Sequence, residues 1–229
     1  MQTNGTAGAS IATSLIQGLP GDGSSTHTEA DLLSRNICAI ALAGGSDTTV
    51  STVQTFFMAM VIYPDIQKKA QAELDQVSGG RLPEFSDRPN LPYINALVKE
   101  SLRWQPIAPL AAAHMASEAD YYNGYYIPKG TAVIGNAWTI LSDSEIYSDP
   151  TSFNPDRFLK DGKLDPSVRD PTVACFGFGR RICPGRFFAL DSIFMTFAHV
   201  LSVFNVLPPL DEGGKEIRIK PEWTNGFIT

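Results

Sequence analysis

The apolar positions of this chain fall into runs that repeat every three to four residues and shorter runs that alternate. From Asp31 to Tyr63 apolar residues continue until Pro64 stops them, which is far too long for a strand. One helix is therefore expected over 29–63, opened by Thr28 with Asp31 three residues on, a variant of the capping box. At helical rise it is about 50 Å long, so it has to cross the centre of a domain. An amphipathic helix, Asp65 to Val77, follows, with Ile66, Ala70, Leu74 and Val77 on one face between Pro64 and Gly79-Gly80. Ile94, Leu97, Val98 and Leu102 mark another, opened by Leu91-Pro92 and ended by Trp104-Gln105-Pro106. Phe187, Leu190, Phe194, Phe197 and Leu201 mark a last one, ending near Phe204.

Ile107 to Met115 and Asp120 to Val133 read as short strands, with turns at Asn123-Gly124 and Pro128-Lys129-Gly130. This is the only clear β region. Residues 1–28 read as loop with one brief apolar patch at Ile11, Leu15 and Ile16, and 136–172 as irregular apart from Trp138, Ile140 and Leu141. A final strand is expected at Ile217-Arg218-Ile219. The fold class is mainly α with small β-sheets (α+β).

Length and composition, 229 residues with 43% hydrophobic content, allow a substantial core in one or two domains. A net charge of −6 speaks against nucleic acid or an anionic membrane surface as partner of the whole chain. Three dispersed cysteines make no disulfide framework and favour a reducing compartment. Met1 to Ser10 lacks the basic and apolar regions of a signal peptide, and no apolar run approaches the roughly 18 residues of a membrane span, so no anchor is expected within the chain.

Candidate chemistry lies at four places. Gly44-Gly45-Ser46-Asp47-Thr48-Thr49 is poor helix material in the middle of the long helix. It is either a close helix crossing with Asp47 and Thr48 capping a distorted turn, or a gap for a ligand to which an acid beside a hydroxyl passes protons. Glu100 and Arg103 share a helix face, on which an exposed ion pair is the plain reading. His114 stands alone in the β region. Phe176-Gly-Phe-Gly-Arg-Arg-Ile-Cys-Pro-Gly185 presents Cys183 among Arg180, Arg181 and Arg186, just before an apolar helix, and both features favour a thiolate. Cys175 and Cys183 do not have a zinc spacing. A lone thiolate suits an ion that already has most of its ligands, as haem iron does, and the alternative is a structural cysteine in a turn.

Phe176, Gly179, Arg181, Cys183 and Gly185 complete the pattern F-x-x-G-x-R-x-C-x-G, and the chain thereby resembles the cytochrome P450 family, whose haem is held by a cysteine thiolate. Three further motifs agree in order: Gly44-Gly45-Ser46-Asp47-Thr48-Thr49 resembles the oxygen-activation motif of the central helix, Glu100-Ser-Leu-Arg103 the E-x-x-R pair, and Phe153-Asn-Pro-Asp-Arg157-Phe158 the segment whose arginine locks with that pair. The resemblance runs from about Ser10 to Thr229 and implies the C-terminal part of the family domain, with the lid helices and any anchor upstream and a C-terminal loop cut short.

The resemblance implies Cys183 as the iron ligand, Asp47 and Thr48 in proton delivery, and Arg181 and His114 as propionate partners. Ile40, Ala43, Gly44, Ala108, Leu110 and Phe227 would face substrate, and Glu100, Arg103 and Arg157 would form a buried structural lock. It divides the chain into loop (1–28), central helix (29–63), helices with E-x-x-R (64–106), β region (107–135), meander (136–172), haem-thiolate loop and helix (173–203) and terminal strands (204–229). The implied reaction is haem-dependent insertion of one atom of O2 into an apolar organic substrate. No G-x-G-x-x-G nucleotide motif is present, so electrons would come from an NADPH-dependent reductase, with cytochrome b5 as a further donor. Arg81-Leu-Pro-Glu-Phe-Ser-Asp-Arg88 has the style of fungal microsomal members, which implies a parent protein on the cytosolic face of the endoplasmic reticulum. Two other readings stay open: a haem-binding fragment without activity, and a haem-thiolate isomerase or dehydratase.

Overall fold

A computed structural model describes residues 8–221. The chain divides into two compact units, residues 1–47 and 48–229. Helix α1, Ile11–Gln17, lies in the first unit, started by Ser10, whose hydroxyl accepts the Thr13 amide N–H at 3.0 Å. Helix α2, His27–Ile62, runs through the unit boundary. It starts two residues earlier than a cap at Thr28 would set, and it stays helical through Gly44 and Gly45, so the distorted turn of the first alternative is absent. The helical residues on either side hold the hydrogen-bond ladder and offset the cost of the glycines.

In the second unit, α2 buries Thr52, Thr55, Phe56, Ala59 and Met60, the three-and-four spacing that keeps one helix face on a core. Pro64 opens α3, Pro64–Ser78, and Gly79 ends it in the left-handed conformation, at φ 62°. Helix α4, Pro92–Trp104, also starts on proline, and its first free amides, Tyr93 and Ile94, donate to the half-buried carboxylate of Glu73 at 2.8 and 3.0 Å. Together with α7, Arg186–Val203, these helices enclose the main core. There Phe56 stacks on Phe197 with ring centroids 3.9 Å apart. Helix α7 is long and apolar enough to cross a membrane, but Ile193, Phe194, Phe197, Ala198 and Leu201 are buried in this core.

A second cluster packs Ala96 of α4 against Ala137 and Leu141 of α5 (Ala137–Leu141), Tyr147, Phe158 and Ala174 of α6 (Thr172–Cys175). Among the described residues the unit also holds three two-stranded antiparallel sheets. β1, His114–Met115, pairs with β4, Ala132–Val133, and β2, Asp120–Tyr122, pairs with β3, Tyr125–Ile127, across the Asn123-Gly124 turn.

Three β expectations are corrected. The strand from Ile107 shrinks to His114–Met115, because the Ala111 amide turns back to the Ala108 carbonyl at 2.9 Å with Ala111 at φ 51°. No strand forms at Ile217–Ile219; an isolated bridge joins Leu210 to Glu216 just before it. A third sheet, β5 (Leu159–Lys160) with β6 (Lys163–Leu164), lies in the stretch read as irregular, so 107–135 is not the only β region.

Candidate functional site

The cysteine loop leaves α6 and turns on two left-handed glycines, Gly177 at φ 80° and Gly179 at φ 57°, a conformation that side chains disfavour. Its two ends are joined by the Cys183 amide, which donates to the Phe176 carbonyl at 2.8 Å. Gly185 caps α7, and the Arg186 guanidinium reaches back to the Cys183 carbonyl at 3.3 Å. Phe176 packs against the main core, while Cys183 is half-buried. Gly179 and Gly185 are exposed, as are Arg180 and Arg181, and neither of these arginine side chains has a hydrogen-bond or ion-pair partner among the described residues.

Cys175 separates from Cys183 on chemistry. It touches both core clusters, and burial pushes its thiol up to about 12, with the nearby Asp170 carboxylate adding to the effect. At neutral pH it is a protonated, apolar residue. Among the described residues no three His, Cys, Asp or Glu side chains converge on one point. A single half-buried thiol beside open cations therefore fits a flat, anionic group that brings its own metal ligands, as a haem does.

Between α4 and the meander lies an ionic knot. Glu100 and Arg103 are both 0% exposed, so the surface ion pair is excluded. Arg103 Nε and Nη2 donate to the two Glu100 oxygens at 2.7 and 2.8 Å, and Arg157 Nε donates to the same oxygens at 3.1 and 3.2 Å. The Asn154 amide adds a bond to Glu100 Oε1 at 2.7 Å. The remaining arginine N–H groups donate to main-chain carbonyls: Arg103 to Leu141, Pro150 and Ser152, and Arg157 to Ser148, Asp149 and Ser152. One carboxylate thus gathers α4 and the meander that leads to the cysteine loop.

A second tether escaped the sequence reading. Lys99, next to Glu100, pairs with Asp170, which also accepts the Thr172 amide and hydroxyl at the start of α6. Burial alone would raise the Asp170 carboxyl, but its bonds from Lys99 and Thr172 together hold it below its ordinary value. Asp170-Pro171-Thr172 is a helix-start signature and was the available signal.

The other candidates belong to other elements of the chain. Asp47 is exposed and Thr48 half-buried on α2, where Ile40, Ala43 and Gly44 are exposed one to two turns earlier. His114 is exposed on β1 opposite Val133. Leu110 is exposed and Ala108 half-buried in the turn before it. Phe227 lies outside the described residues. The structure thus gathers Phe176, Gly179, Arg181, Cys183 and Gly185 in one loop, and Glu100, Arg103 and Arg157 in one knot.

The family model Cytochrome P450 matches residues 13–227. Cytochrome P450 monooxygenase COX2 of Coprinopsis cinerea is 50% identical over 219 residues, covering 95% of this chain and 42% of that protein. Tryptamine 4-monooxygenase of Psilocybe cyanescens is 44% identical over 231 residues, covering 100% of this chain and 45% of that protein. A solved zebra fish cytochrome P450 with abiraterone superposes with a TM-score of 0.72 at 32% identity, over 86% of this chain and 47% of the other. The chain spans less than half the length of these relatives. Because the match takes in the buried knot as well as the cysteine loop, sequence and architecture agree, and the chain belongs to the cytochrome P450 family.

Proposed function

We propose that this chain is the cysteine-bearing part of a fungal haem-thiolate monooxygenase acting on an apolar organic substrate. The observation that carries the reading is the contrast between the two half-buried cysteines: Cys175 packs against both core clusters, where burial pushes its thiol up and keeps it protonated, whereas Cys183 sits on a glycine turn closed by its own amide. Cys183 would hold the iron as thiolate, with Arg181 and His114 binding the propionates. When bound, haem supplies the iron at which O2 is activated for insertion of one oxygen atom into the substrate. Thr48 and Asp47 would orient and relay protons, an alcohol and an acid adjacent on α2. Ile40, Ala43, Gly44, Ala108, Leu110 and Phe227 would shape the substrate cavity. Glu100, Arg103 and Arg157 would act as a structural lock between α4 and the meander, outside the chemistry.

Electrons would come from an NADPH-dependent reductase, with cytochrome b5 as a second donor, on the cytosolic face of the endoplasmic reticulum. The open Arg180 guanidinium supports an acidic docking partner. Charge reversal at Arg180 is expected to weaken reductase-driven turnover, most strongly at low salt, without loss of haem; unchanged turnover would remove this contact from the reading.

The ligand assignment is tested by the reduced, carbon monoxide-bound absorption spectrum of the chain supplied with haem. A thiolate-type Soret band that survives Cys175→Ala and vanishes in Cys183→Ala is expected. A band that survives Cys183→Ala would overturn the assignment.

A further inference from the structure

We infer that Gly135 is a positioning residue for the cysteine loop, its missing side chain forming the seat on which Phe178 fixes the loop. Gly135 lies between β4 and α5 and is not among the glycines with a positive φ, so its backbone conformation is open to any residue. What requires glycine is space. A Cβ placed there would stand 2.1, 2.8 and 3.0 Å from Cε2, Cδ2 and Cζ of Phe178, where contact between carbons begins near 3.5 Å. The ring of Phe178 occupies the room a side chain would need.

Phe178 is suited to this part by its neighbours. It stands between Gly177 and Gly179, both left-handed, so the loop has no other side chain at this bend with which to hold itself in place. Its ring packs on the second cluster, while Phe176 packs on the main core. The cysteine loop is thus pinned at two points, one in each cluster, and the bond from the Cys183 amide to the Phe176 carbonyl transmits that position to the thiol. The loop pattern that carries the family resemblance specifies Phe176 and leaves position 178 open. The Gly135 seat matters because a neighbour as small as alanine displaces the ring.

The consequence for iron ligation rests on the proposed role of Cys183, but the consequence for the loop does not. The experiment compares the chain with Gly135→Ala, Phe178→Ala and the double variant by amide hydrogen exchange without haem, and by the reduced carbon monoxide spectrum with it. Exchange at the Cys183 amide is expected to rise by about tenfold or more in Gly135→Ala, while α4 and α7 keep their protection. The double variant is expected to exchange like Phe178→Ala alone, since a methyl group at 135 has no ring left to displace. With haem, Gly135→Ala is expected to lower the thiolate-type fraction of the Soret band. Unchanged exchange at Cys183, or an equal rise throughout α4 and α7, would overturn the inference. A local rise in exchange together with a Soret band that survives Cys183→Ala would uphold the positioning role and overturn the ligand assignment instead.

Discussion

The second unit holds arginines of two kinds, and the difference between them divides scaffold from site. Arg103 and Arg157 lie deep, with side chains 0% and 5% exposed, and share one carboxylate while their other N–H groups reach main-chain carbonyls of the meander. Arg180 and Arg181 stand exposed on the cysteine loop with no partner among the described residues. A buried guanidinium is tolerated only when its donors are answered, so the first pair can serve no ligand without unmaking the fold. The second pair leaves its donors open to solvent, and the planar fork of arginine suits carboxylates, which is why Arg181 is proposed as a propionate partner.

Removing the shared carboxylate is the strongest way to break this comparison. Glu100→Gln leaves two buried guanidiniums facing an uncharged amide and is expected to destabilise the chain by about 3–5 kcal/mol. Urea unfolding reads this directly, and a loss below about 1 kcal/mol would mean that the knot is as dispensable as a surface pair. On the open side the expectation reverses. Arg181→Ala is expected to change unfolding free energy by no more than about 0.5 kcal/mol, as exposed substitutions usually do. Its effect appears in haem titration, as an affinity loss of about tenfold, in line with one lost charge-assisted hydrogen bond. Equal stability losses in the two variants would erase the distinction between scaffold and site.

The sequence made the helices legible because proline and glycine punctuate them: Pro64, Pro92 and Gly79 stand at helix ends. The β elements were harder to read. Strands of two or three residues, such as His114–Met115 and Leu159–Lys160, are too short to show alternation, and Ala111 breaks the first predicted run by turning into the left-handed region. At the site, the fixed residues of the loop could be picked out through the resemblance of their pattern to the family motif. The burial of Glu100 could not, since helix spacing places it beside Arg103 whether the face is wet or dry. Lys99 with Asp170 and Phe178 with Gly135 lie 71 and 43 residues apart, and only the folded chain brings them together.

The smallest expected effect concerns Cys175, the thiol on the sealed side of the loop. Burial pushes it up to about 12 from the ordinary value near 9, so the folded chain keeps it protonated where the unfolded chain ionises it. The unfolded state then binds fewer protons, and stability falls as pH rises through that window, whereas below about 9 the group contributes no slope. Between pH 9 and 10 the loss is about 1 kcal/mol from this group alone. Tyr147, pushed up to about 12 mainly by burial, and Tyr93, raised by the same cause, slope the same way, so the reading is the difference from Cys175→Ala. That variant is expected to flatten the alkaline slope by this amount, whatever its stability at pH 7. Alkylation supplies the matching contrast, because at pH 8 Cys183 is expected to react while Cys175 does not. Reaction of Cys175 at a comparable rate would place both thiols on the open side of the loop and leave iron with two candidate ligands.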